Sequence, residues 1–190
     1  VSWNWSTDLG VNFFGSYSFY LLGSPFFWFT LIFPTSFVPY LVAPLLILKF
    51  ALSALTAYLF IRRFTRTPNA AMLGGLLYAF SGFSVYNIFF NHFHEAIVFF
   101  PLLLYAIELL LTENRRGPVA IAVLLCGVSN YYFFFGMVVF TIIYWLIRTF
   151  SKSWKFEVNK FFVLIFECVL GVLMGAAILL TTFLALKSNT

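Results

Sequence analysis

Nine of the eleven Lys and Arg residues in this chain fall into three short clusters, with long apolar stretches between them. The clusters are Arg62, Arg63 and Arg66; then Arg115 and Arg116; then Arg148, Lys152, Lys155 and Lys160. The connections that alternate with them carry almost no basic residues. They hold Asn91-His92-Phe93-His94-Glu95 and an aromatic, Gly-rich N-terminal stretch. Basic loops of a membrane protein face the cytoplasm. If all three clusters share that face, the chain must cross the bilayer twice between each pair of them.

Composition agrees. The chain is 63% hydrophobic and 9% charged, with a mean hydropathy of +0.99. Soluble domains carry roughly 25% charged residues, so there is too little polar surface here to coat a water-soluble globule. The formal charge of +5 belongs to the basic loops. No basic run is long enough to track nucleic-acid phosphates, and anionic lipid headgroups are the simpler partner. Cys126 and Cys168 both lie inside apolar segments and read as inert buried thiols. The chain opens at Val1 in a loop-like segment, and we read it as a fragment of a larger protein.

The pattern predicts an all-α polytopic transmembrane helix bundle. Residues 1–38 read as the end of an extracytoplasmic loop, with an interfacial helix in the apolar run 25–33, which is too short for a span of roughly 20 residues. Residues 39–190 read as six spans, at about 39–61, 70–90, 95–112, 118–131, 133–148 and 160–186. In the second span Gly74, Gly75 and Gly82 suit close helix packing. The stretch 118–147 decides the topology. As one helix it would be about 45 Å long, against a hydrocarbon core of about 30 Å, and would place Arg148 opposite Arg116. A turn at Ser129-Asn130-Tyr131-Tyr132 divides it into two short crossings and keeps the basic clusters together.

The polar residues at the far side of these crossings are the chemical candidates. Glu95, His92 and His94 combine a carboxylate with two imidazoles at a water–lipid boundary, a set suited to acid–base work, to a metal or to a phosphate. The alternative is an ordinary polar loop. A metal centre would need a second ligand cluster, which the spacing does not provide. Asp8 is a weaker candidate that also suits a turn before Gly10. Asn91 and Tyr131 are candidates for substrate contact. Lys49 lies near the middle of the first span, where a Lys costs roughly 2.5–3.5 kcal/mol on insertion scales. It should face the bundle interior, either towards a lipid phosphate or paired with an acid, Glu167 and Glu108 being the available intramembrane acids. Most of the 28 Phe, 10 Tyr and 5 Trp residues suit an aromatic belt. No nucleotide-binding loop or nucleophile elbow is present.

Several phrases resemble the YfhO family of multi-spanning bacterial membrane proteins over nearly the whole chain. They are Trp3-Asn4-Trp5 with Gly10, Asn12-Phe13-Phe14-Gly15, residues 22–25, and above all Leu77-Tyr78-Ala79-Phe80-Ser81-Gly82-Phe83, followed by residues 92–95 and Pro101-Leu102-Leu103-Leu104. The resemblance implies a GT-C-like fold, related to glycosyltransferases that take a sugar from a polyprenyl-phosphate lipid. The implied acceptor is a cell-envelope polymer such as lipoteichoic acid on the outer face of the cytoplasmic membrane. Glu95 falls where the family carries an acid. The main catalytic base is expected upstream of Val1, with Glu95, His92 and His94 around the acceptor, the leaving phosphate or a divalent metal. The competing readings are a transporter or flippase of a lipid-linked precursor, with Lys49, Glu108 and Glu167 lining a path, and a non-catalytic envelope-assembly protein.

Overall fold

A computed structural model describes residues 3–5, 10–12, 17, 22–151 and 157–188. Asp8, Lys152 and Lys155 lie outside the described residues. The chain begins with a short antiparallel ladder, β1 (Trp3–Asn4) against β2 (Val11–Asn12), with Trp3 opposite Asn12. Helix α1 (Pro25–Thr30) follows. Its start is written in Ser24-Pro25: the Ser24 side chain accepts a hydrogen bond from the Phe27 N–H at 3.0 Å, and Pro25 takes a first-turn position that needs no N–H. Trp28, Phe29, Leu31 and Ile32 stay exposed around this short helix, as an element lying in a membrane interface requires.

A 3-10 turn (Thr35–Phe37) leads into α2 (Val38–Ile61). The return segment, expected as one span over 70–90, is two helices, α3 (Pro68–Ala79) and α4 (Gly82–Tyr86). The helix ends because Ser81 adopts an extended backbone, φ −59° and ψ 158°. Helix α5 (Phe93–Glu113) ends at Asn114, which adopts the left-handed conformation that Asn tolerates better than most residues. Helices α6 (Pro118–Ser129) and α7 (Tyr131–Phe150) are divided at Asn130, whose Oδ1 accepts from the N–H groups of Tyr132 and Phe133 at 3.1 and 3.3 Å. One side chain thus caps a new helix where the sequence analysis places a turn. The last segment, expected as a single helix over 160–186, breaks at Gly175 into α8 (Val158–Met174) and α9 (Ala176–Ser188).

Helix α5 is the central column: 78% of its apolar window is buried, against 11% for the window that includes α2 and 6% for α7. Helices α2 and α6 flank it, α3 packs on α2, and α8 packs on α6. Glycine permits both outer contacts. A Cβ at Gly75 would stand 2.6 Å from the Ala54 carbonyl oxygen, and one at Gly171 2.5 Å from that of Ala120. Gly82, expected to serve close packing, has open space around it; it stands just past the Ser81 break.

Ion pairs, a cation–π contact and a hydrogen bond bring Arg63, Arg115, Arg148 and Lys160 to one end of the bundle. Arg63 and Arg115 both pair with Glu113, at 2.8 and 3.0 Å. Arg148 lies over the Phe64 ring, 5.0 Å from its centroid. The Lys160 ammonium donates to the Leu111 carbonyl at 3.0 Å. At the opposite end the Phe133 ring meets Phe83 and Phe93, so α7 runs in the same direction as α5. Among the described residues, three helical segments, Thr35–Ile61, Phe93–Glu113 and Tyr131–Phe150, are long and apolar enough to cross a membrane. Large apolar side chains such as Leu73, Leu77, Ile143 and Phe166 point away from the bundle, which suits surroundings of lipid hydrocarbon.

Candidate functional site

At the end opposite the basic residues, Glu95 occupies the first turn of α5 and is fully buried. Its Oε1 meets the Lys49 ammonium at 2.9 Å, with side-chain exposures of 2% for the lysine and 0% for the acid. The same oxygen accepts a hydrogen bond from the Ser24 hydroxyl. Lys49 also donates to both the backbone oxygen and the Oδ1 of Asn91, at 3.0 and 2.5 Å. An ammonium has three N–H groups, and here all of them are engaged. The Phe26 ring lies 5.1 Å below the same nitrogen. One ion pair therefore joins α1, α2, the 87–92 connection and α5.

The pair stands where desolvation is costly, so each charge needs its partner. Glu95 Oε1 is doubly bonded, whereas Oε2 is buried without a hydrogen-bond partner. Ser129, the last residue of α6, brings its hydroxyl to the carboxylate as a hydrogen-bonding neighbour, in a contact that falls outside standard hydrogen-bond geometry. The Asn130 Nδ2 is likewise buried without an acceptor. The α6–α7 break therefore brings unused polar capacity to the same end of the bundle as the open carboxylate oxygen.

The two histidines do not join Glu95. His94 is buried with its Nε2 directed at the Ser84 carbonyl, 3.0 Å away, and its ring lies 5.1 Å from that of Phe50. A carbonyl only accepts, so that nitrogen carries the proton and the imidazole ties α5 to α4. His92 packs edge-on against Phe93, ring centroids 4.5 Å apart. Burial, aided by the nearby Lys49 charge, pushes its pKa below the ordinary imidazole value. Asn91 is a ligand of Lys49, and Tyr131 is a half-buried residue opening α7. Among the described residues, no group of three His, Cys, Asp or Glu side chains is placed to hold a metal ion.

The expected partners of Lys49, Glu108 and Glu167, are engaged elsewhere. Glu108 receives two hydrogen bonds from Arg148, both at 2.9 Å, and one from the Tyr144 hydroxyl. Glu167 accepts from the Gly117 N–H at 2.7 Å. The reason is helix offset. Lys49 lies about 18 Å from the last residue of α2 at 1.5 Å per residue, beyond the midplane of a core about 30 Å thick. Helix α2 then continues about 16 Å past Lys49, whereas α5 begins only two residues before Glu95. Depth counted along one helix does not reveal that stagger.

Ser24 is the residue that sequence reasoning missed. Its signal was the Ser-Pro start of the apolar run, which marks a helix cap but not the carboxylate that the hydroxyl would reach.

A family model described as bacterial membrane protein YfhO matches residues 1–190. No curated protein and no solved structure matches the chain.

Proposed function

Since the chain belongs to the YfhO family of bacterial membrane proteins, we propose that it forms part of a membrane glycosyltransferase. The enzyme moves a sugar from a polyprenyl-phosphate lipid to a cell-envelope polymer such as lipoteichoic acid. The basic end faces the cytoplasm, by the rule that Lys and Arg concentrate there, and the chain crosses the membrane six times. The Glu95 end then faces outwards, where the lipid-linked sugar is used.

The observation that carries this reading is the half-engaged Glu95 carboxylate. Lys49 and Ser24 fix Oε1 in place, while the buried Oε2 makes no hydrogen bond of standard geometry, with the Ser129 hydroxyl beside the same carboxylate. A buried acceptor without a partner costs about 1–3 kcal/mol, which a substrate hydroxyl offsets by donating to it. In transfer, the acceptor oxygen bonds to the anomeric carbon, the bond from that carbon to the lipid phosphate breaks, and the acceptor proton passes to a base. Glu95 orients a hydroxyl for that step. Through Ser24 it also fixes α1 against the bundle.

Lys49 has no N–H to offer a substrate phosphate in this arrangement. Nor do Lys49, Glu108 and Glu167 line one path, since each binds a different partner; that arrangement lends the transporter reading no support. The test is transfer of labelled sugar by the purified full-length protein in lipid vesicles. Glu95→Gln lowers the rate about 100-fold or more in protein that remains folded. Unchanged transfer by this variant overturns the role of Glu95, and absence of transfer by the unmodified protein overturns the enzyme reading.

A further inference from the structure

Residues 22–33 form a strap across the Glu95 end of the bundle. It is braced within itself. Ser24 caps α1, the Trp28 indole N–H donates to the Leu22 carbonyl at 2.7 Å, and the Thr30 hydroxyl donates to that of Phe27 at 2.6 Å. Three contacts close the strap over the bundle. Ser24 donates its hydroxyl to Glu95 Oε1. The Phe26 ring lies against the Lys49 ammonium and 6.2 Å from the Phe99 ring of α5. Gly23 rests on the last turn of α6, so closely that a Cβ there would run into the Val128 carbonyl oxygen.

What lies beneath is shut off from its surroundings. Glu95, Ser129 and Asn130 are 0%, 1% and 1% exposed. Each keeps one buried polar atom, Oε2, Oγ and Nδ2 respectively, that makes no hydrogen bond of standard geometry. Burying polar groups in that state is unfavourable, and a hydroxylic guest relieves it by hydrogen bonding. In the closed arrangement no such guest reaches them. Enzymes that enclose their substrates admit them by moving a loop or short element.

The strap is the element built to move. Helices α2 and α6 pack against the buried column α5, whereas α1 has six residues and buries only Phe26 and Thr30. Elements with few buried contacts open at the lowest free energy. The other side of the strap exposes Trp28, Phe29, Leu31 and Ile32, which stay in the membrane interface as it lifts. At Pro34 the backbone is extended, φ −57° and ψ 145°, and separates the strap from the 3-10 turn before α2.

We infer that residues 22–33 are a lid on the Glu95 site, which lifts as one piece to admit a substrate hydroxyl and closes through Ser24 and Phe26. The identity of what enters rests on the transferase reading; the opening does not.

The test is cysteine accessibility in the full-length protein in lipid nanodiscs, with a water-soluble methanethiosulfonate reagent and tandem mass spectrometry to locate the modified thiol. Ser129→Cys, in a Cys168→Ala background, reports on the site. The native Cys126 lies about one turn away on the same helix. It is 2% exposed, with its thiol on the Phe99 carbonyl, and reports opening of the bundle itself. The Ser129→Cys thiol is modified while Cys126 is not. Ser24→Ala removes the bond between strap and Glu95 and speeds that modification about tenfold. Phe26→Ala leaves the Ser24 cap in place and speeds it as well. Modification of the Ser129→Cys thiol only in step with Cys126 overturns the inference, because the site then opens only when the bundle does. So does a rate that neither strap variant changes, because entry then follows another route. The readout is access, so it stands apart from sugar transfer. If the strap lifts in protein that transfers no sugar, the transferase reading fails and the lid stands. If sugar is transferred while the Ser129→Cys thiol stays closed, the lid alone fails.

Discussion

Replacing Lys49 by Met removes the cation from a carboxylate with no exposure to solvent. The stem of the side chain is conserved in bulk, so packing changes little. What changes is charge: Glu95 keeps only hydroxyl neighbours, with Ser24 its one donor of standard geometry, and two acceptors on Asn91 lose theirs. Removing one partner of a buried ion pair costs about 3–5 kcal/mol, or about two to four powers of ten in the folding equilibrium. Glu95→Gln alone leaves a buried ammonium without its counter-ion and is destabilising for the same reason. The double variant Lys49→Met/Glu95→Gln removes both charges, and exchanging a buried pair for uncharged groups is often close to neutral. The two substitutions therefore combine to far less than their sum, and the double variant is more stable than either single one. The assay is reversible unfolding in mixed detergent micelles at neutral pH, with all four proteins measured side by side. Strict additivity would refute the pair, because residues that do not touch show no coupling.

Asn130→Ala removes the cap of α7 and lowers stability by about 0.5–2 kcal/mol; a melting curve reads the loss, and an unchanged midpoint contradicts the capping geometry. His92 carries a folded-state pKa below its ordinary value near 6.5, so the unfolded chain binds the proton more readily. Stability is then full above the ordinary imidazole value and is lost as pH falls through the lowered one. His92→Gln flattens this part of the profile of midpoint against pH, and an unaltered profile assigns the acid sensitivity to another group.

The charge clusters made the architecture legible. Arg115 and Arg148 come to one end of the bundle, so the chain between them has to reverse, and it does so at Asn130. The short apolar run after Ser24 was legible by its length. The breaks at Ser81 and Gly175 were not, because hydropathy is uniform across both and only backbone geometry interrupts the helix. Within the site, the prominence of Glu95 was visible from the scarcity of charge around it. Its pairing with Lys49 was not, since 46 residues separate them and helix stagger, which no periodicity encodes, sets their common level. The histidines carried a false signal. Adjacent positions on a helix point about 100° apart, so His94 reaches the Ser84 carbonyl on α4 while Glu95 faces α2.

The claim at the centre is that Glu95 acts on substrate as well as holding the fold. The Lys49→Met/Glu95→Gln protein separates the two roles, because it restores a neutral, packed interior without restoring the carboxylate. Sugar transfer per folded molecule, measured on this variant in the full-length protein, is the direct test. The account predicts near-normal stability with transfer still reduced about 100-fold or more. Recovery of transfer along with stability would contradict it and leave Glu95 a purely structural anchor.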